Sequence, residues 1–177
     1  MHGQGRLVAA IDPQGLVFAV GTNTNIIHMY DIGEYTRGPF SSWSIEDPIY
    51  PSTPIPEWTS IKFTANGKYI IITTVGDNMY VVDSFNGRIM HRLIGNAGPN
   101  DASTNGEEVS LTPDGRFVMA GGSDGRVRVG DLLQNDNIDI EPFLSLSSPH
   151  KDPIKAAEFS PSHAMFITAS DGLVRII

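Results

Sequence analysis

The sequence predicts an all-β protein made of repeated four-stranded antiparallel sheets, three complete and a fourth incomplete. Three observations predict it. Short apolar runs alternate with clusters holding many of the 18 glycines and 12 prolines, the pattern of strands joined by turns. Four turn tetrads recur, Asp12-Pro13-Gln14-Gly15, Thr64-Ala65-Asn66-Gly67, Thr112-Pro113-Asp114-Gly115 and Ser160-Pro161-Ser162-His163, with starts 52, 48 and 48 residues apart. No window carries a convincing helical period.

Each tetrad reads as the turn of a hairpin. Strands are expected before the turns at residues 7–11, 60–63, 108–111 and 155–159, and after them at 16–20, 69–74, 116–120 and 165–168. Pro, Asn or Asp, and Gly supply the backbone geometry that such turns need. A third strand ends in aspartate in three repeats, and Asp31, Asp83 and Asp131 are again 52 and 48 residues apart. The fourth copy, residues 173–177, stops one residue short of that position. Looser fourth strands are expected at 39–44, 88–93 and 142–147. Four strands in about 48 residues match a β-propeller blade, about 40–45 residues plus loop variation. The expected blades cover residues 6–46, 58–94, 106–148 and 150–177, with a Pro-rich insert at 47–57. The insert and the Asn/Gly-rich stretch 95–106 read as long loops, which in compact domains are often functional.

Composition narrows the function classes. The 177 residues are 40% hydrophobic, enough for a globular core. Twelve basic residues face twenty acidic ones, for a net charge of −8. With no basic block to neutralise phosphates, the sequence argues against direct binding of DNA or RNA; a basic protein segment suits this surface better. The absence of cysteine excludes disulfides and thiolate metal sites, and fits a reducing compartment. No apolar stretch approaches the roughly 20 residues of a membrane helix, and residues 1–6 lack an apolar signal region.

The sequence carries no convincing catalytic constellation. The aspartates recur with the blade period, as turn residues would, and not as an isolated carboxylate pair of a glycosidase. None of His2, His28, His91, His150 and His163 falls in a metal-ligand spacing. Gly121-Gly122-Ser123-Asp124-Gly125 lies between two strands and opens no helix, so it is no phosphate loop. Ser145, Ser147 and Ser148 lack a Gly-x-Ser-x-Gly context. No catalytic residue, cofactor or metal is therefore expected. The aromatic residues offer more. Tyr35, Phe40, Trp43 and Tyr50 gather in sequence near the Pro-rich insert, beside Arg37, and such residue types are enriched at binding hot spots. These five are the candidate partner contacts, while Trp58, which begins a strand, reads as core.

The repeats resemble the WD-repeat family. Ser170-Asp171-Gly172-Leu173-Val174-Arg175-Ile176 and Ser123-Asp124-Gly125-Arg126-Val127-Arg128-Val129-Gly130-Asp131 look like its signature of an Asp turn before the third strand. His150-Lys151-Asp152-Pro153-Ile154 resembles the loop histidine that opens a blade. The Trp-Asp dipeptide is degraded to Tyr30-Asp31, Val82-Asp83 and Gly130-Asp131. Gly38-Pro39-Phe40, Glu57-Trp58-Thr59, Asp83-Ser84-Phe85-Asn86-Gly87 and Met90-His91 are similar to one subfamily, the COMPASS histone methyltransferase subunit family.

The resemblance implies a partial WD-repeat β-propeller, a noncatalytic scaffold subunit of a nuclear complex. That complex would be a COMPASS-type histone H3 methyltransferase or one acting in mRNA 3′-end processing and transcription termination. The implied partners are the methyltransferase catalytic subunit, the phosphorylated RNA polymerase II tail and 3′-end processing factors. A generic adaptor, as in ubiquitin ligation, is the alternative; a propeller hydrolase ranks below both. The family's buried network of His, Ser/Thr, Asp and Trp implies a structural role for His150, Asp171 and Asp124. The family's ring needs about seven blades and this chain supplies three and most of a fourth, so a fragment is expected, completed by the missing half or by self-association.

Overall fold

The computed structural model describes residues 7–22, 24–95, 109–122, 124–133, 137–147, 150–160, 162–170 and 172–176. Four successive sheets form in chain order. The first comprises β1 (Val8–Ile11), β2 (Val17–Gly21), β3 (Ile26–Asp31) and β4 (Ser41–Ser44), with a single 3-10 turn at Tyr35–Arg37 before β4. The second comprises β5 (Trp58–Phe63), β6 (Tyr69–Thr74), β7 (Met79–Asp83) and β8 (Ile89–Leu93). The third comprises β9 (Ser110–Leu111), β10 (Phe117–Gly121), β11 (Arg126–Asp131) and, after an intervening strand β12 (Asp139–Ile140), β13 (Leu144–Ser147). The last holds β14 (Ala156–Phe159), β15 (Phe166–Ser170) and β16 (Leu173–Ile176). Within each of these groups neighbouring strands pair antiparallel, giving a partial β-propeller.

The recurrent polar residues make the turns. Asp12 Oδ1 accepts the backbone N–H of Leu16 at 2.7 Å and of Val17 at 2.9 Å. Thr64 Oγ1 accepts from Tyr69 N–H at 3.1 Å, and Thr112 Oγ1 from Phe117 N–H at 3.0 Å. Gly15, Gly67 and Gly115 close these turns at φ of 70°, 69° and 70°, a left-handed conformation that only glycine adopts without strain. The aspartates ending the third strands cap the next turn: Asp31 Oδ1 accepts from Gly33 N–H at 2.7 Å, Asp83 Oδ1 from Phe85 N–H at 2.8 Å and Asp131 Oδ1 from Leu133 N–H at 2.9 Å.

The core lies between neighbouring sheets. Strand alternation sends Ile70 and Ile72 of β6 to one face and Ile71 to the other. The first pair joins Ala19, Ile27 and Met29 of the first sheet, with Trp58, Phe63 and Val82. Ile71 joins Val109, Val118 and Ala120 of the third. A third cluster seats Ile154 and Phe166 against Met119, Val127 and Val129. Each aliphatic side chain so buried contributes about 1.5–3 kcal/mol. Trp58 is core: its ring packs so closely on the first sheet that a Cβ on Gly21 would stand 2.7 Å from it.

One element departs from the sequence expectation of purely antiparallel blades. β12 pairs parallel to β8, with Asp139 opposite Arg92 and Ile140 opposite Leu93, so the second sheet has five strands in the order β12-β8-β7-β6-β5. The reason is length. Residues 84–88 turn directly from β7 into β8, whereas residues 132–143 separate β11 from β13 and leave room for β12.

Candidate interaction surface

The five candidate contact residues do not form one patch. Phe40 precedes β4 and stands 61% exposed at the end of the first sheet where the Asp12–Gly15 turn lies. Tyr35 and Arg37 belong to the 3-10 turn before it, both exposed, and Arg37 pairs with Glu34 at 2.6 Å. Trp43, half-buried, packs against Gly87 in the turn between β7 and β8, where a Cβ would come within 2.3 Å of the indole. Tyr50 follows β4 at the opposite end, its ring 5.3 Å from the guanidinium carbon of Arg92. Adjacency in sequence became separation because β4 runs between them.

What fixes the Pro-rich insert is a cluster the sequence reading missed. Asp47, 5% exposed, accepts from Arg92 Nη1 at 2.9 Å and from the Tyr80 hydroxyl at 2.9 Å. Arg92, 4% exposed, turns its other edge to Asp139, with Nε at 2.7 Å and Nη2 at 2.9 Å from the two carboxylate oxygens. One guanidinium thus joins the insert, β8 and β12. Burial alone would raise the Asp47 carboxyl, but Arg92, two backbone N–H groups and Tyr80 outweigh it and hold the group below its usual value. Burial beside that carboxylate pushes the Tyr80 phenol up. The available signal was Arg92 itself, a cation within the strand Ile89–Leu93 between buried apolar positions.

Of the three residues assigned to the blade network, His150 lies ahead of β14 and reaches β15, 6% exposed, with Nε2 at 2.9 Å from the Thr168 hydroxyl and Nδ1 at 2.9 Å from that of Ser170. Asp171 lies outside the described residues. Asp124 serves the preceding sheet: Arg128 grips its carboxylate through two nitrogens at 3.0 and 2.7 Å and, against the cost of desolvation, holds it below the ordinary carboxylate range. Among the described residues no group of three or more His, Cys, Asp or Glu could hold a metal, and no helix is long and apolar enough to cross a membrane.

The blade-like sheets and the His–Thr contact converge with sequence comparison. Residues 104–131 and 142–177 match the WD domain, G-beta repeat model. WD repeat-containing protein 82 of Drosophila melanogaster is 32% identical over 96% of the chain. The chain belongs to the WD-repeat family. Within that family it is also similar to COMPASS component SWD2 of Saccharomyces cerevisiae, 31% identical over 92% of the chain, and to Set1 complex component swd2 of Schizosaccharomyces pombe, 30% identical over 64%. This WD-repeat chain spans about half the length of the first two relatives, 49% of each, and 32% of the third. At the degraded Trp-Asp positions, Tyr30 stacks on Phe18 with ring centroids 4.9 Å apart, and Val82 is buried between sheets.

Proposed function

We propose that the chain is a noncatalytic WD-repeat scaffold subunit of a nuclear complex, of the COMPASS-type histone H3 methyltransferase kind or one acting in mRNA 3′-end processing and transcription termination. The observation that supports this is its similarity, at 31–32% identity over more than nine-tenths of the chain, to a COMPASS component and to WD repeat-containing protein 82. The partners it would hold are the methyltransferase catalytic subunit, the phosphorylated RNA polymerase II tail and 3′-end processing factors. Affinity purification of the tagged chain from nuclear extract, read by mass spectrometry, tests the assignment. Co-purification of a histone methyltransferase or a polyadenylation complex is the expected result; ubiquitin-ligase subunits in their place would return the generic adaptor.

The two outermost sheets support a second part of the reading, that further blades of the same type cover this chain's ends. Leu7, just before β1, and Ile11, its last residue, are 68% and 64% exposed, and Val174 and Ile176 of β16 stand 66% and 68% exposed. Contiguous apolar surface beside unpaired strand edges favours association. Light scattering on the isolated chain is expected to show self-association at micromolar concentration, relieved when the complementary blades are supplied. A stable monomer that melts cooperatively would refute this.

A further inference from the structure

The scaffold reading leaves open where a partner docks, and the inference here rests on that reading and deepens it. We propose that the groove between the first and second sheets, walled by Leu16, Phe40 and Phe85, docks an extended segment of a partner protein carrying a bulky apolar anchor beside a lysine or arginine.

The groove encloses about 380 Å3, and Met29 and Phe63 form its buried floor. That lies within the roughly 300–1,000 Å3 typical of binding pockets. Its walls are costly surface, with Leu16 62%, Phe40 61% and Phe85 88% exposed. The backbone that carries Phe85 is fixed. Its backbone N–H and that of Asn86 both donate to Asp83 Oδ1, at 2.8 and 3.1 Å. The neighbouring Ser84 donates its hydroxyl to the Gly67 carbonyl at 2.6 Å and its N–H to the Lys68 carbonyl at 2.9 Å. The turn bearing Phe85 is thereby locked onto the hairpin that forms the groove's other lip. With the backbone already ordered, binding has only the Phe85 side-chain rotamer left to fix, which lowers the ordering cost set against burial of the ring.

Charge selects the occupant. Asp12 is the one charged residue in the lining. Its carboxylate accepts three backbone N–H groups, from Gln14, Leu16 and Val17, and forms no salt bridge among the described residues. Those bonds outweigh desolvation and keep the group ionised at neutral pH. Asp31 and Asp83, at the same end of the sheets, are likewise held by backbone N–H groups. Lys68, next to the lining residue Gly67, forms no salt bridge among the described residues. An apolar trough with an uncompensated carboxylate in its wall complements an apolar side chain flanked by a cation.

Panning a phage-displayed random dodecapeptide library on the immobilised chain tests this. Enriched peptides should place an aromatic or aliphatic residue next to Lys or Arg. By fluorescence anisotropy, Phe85→Ala should weaken them about tenfold or more. Asp12→Asn, which keeps the Oδ1 acceptor for Leu16 and Val17 but gives up the Oδ2 acceptor for Gln14 along with the charge, should also weaken them and flatten the salt dependence. Because Phe85 stands free of the core, its variant should melt like the parent, which separates lost binding from lost folding. No enrichment, an acidic consensus, or affinity indifferent to Phe85→Ala would overturn the proposal. So would dimerisation abolished by Phe85→Ala, which would give the groove to a second copy. Failure here while the tagged chain still recovers a methyltransferase complex would sink the groove and leave the scaffold reading standing.

Discussion

The second and last sheets begin from the same hairpin pattern and reach different ends. In the second, Ile70, Ile71, Ile72, Val81 and Val82 are all fully buried. In the last, Ile167, Val174 and Ile176 remain 43%, 66% and 68% exposed. The strands are comparably apolar, so sequence within the sheet does not decide the outcome. Neighbours do. The second sheet has a sheet against each face and the Arg92 cluster across its outer edge; the last has one neighbour within the chain. A blade is a half-built core until another covers it.

Substitutions can break that contrast. Arg92→Met should be the most damaging, at about 3–5 kcal/mol, because two carboxylates lose their buried partner. Urea denaturation followed by circular dichroism measures it, and a negligible loss would show that the cluster adds no stability. Ile71→Ala should follow at about 2–5 kcal/mol, as the cavity opens between two well-packed sheets. His150→Ala should cost about 1–3 kcal/mol by stripping the Thr168 and Ser170 hydroxyls of a partner, with partner binding reduced no further than unfolding explains. Unchanged stability with binding lost would make His150 a contact residue instead.

Acid sharpens the comparison further. The Asp47 carboxyl titrates below 3.8 in the folded chain, so its stabilisation is present above that pH and is lost as pH falls through the lowered value. Asp47→Asn should therefore flatten the pH dependence of the melting temperature below about 4, while the slope from Asp12, Asp114, Asp124 and Asp131, also held low, persists. The smallest effect belongs to Ile176→Ala, within about 0.5 kcal/mol in the isolated chain at concentrations below its self-association. A large loss there would mean that the last sheet is already covered in solution.

Legibility followed the range of the interactions. The turns could be read directly because Asp12, Thr64, Thr112 and the glycines act on backbone within five residues. The third strands could be read because Asp31, Asp83 and Asp131 cap the next turn locally. The Arg92 cluster could not, since its carboxylates lie 45 and 47 residues away and no local pattern marks Asp47 among prolines. β12 escaped for the same reason: two residues carry no periodicity, and their partner strand is in another sheet. The aromatic residues were found by type but not by place, because the ends of β4 separate Phe40 from Tyr50.

The backward reach of β12 has a consequence for how such a chain can change. If each blade were a self-contained cassette, one could be duplicated, deleted or exchanged without disturbing the next. Here the second sheet borrows its outermost strand, and the carboxylate facing Arg92, from the connection inside the third. Excising the third would leave its predecessor with a bare edge and a buried cation half-satisfied. The natural cutting points of this repeat therefore do not coincide with its period, and those two blades can be inherited or transplanted only as a pair.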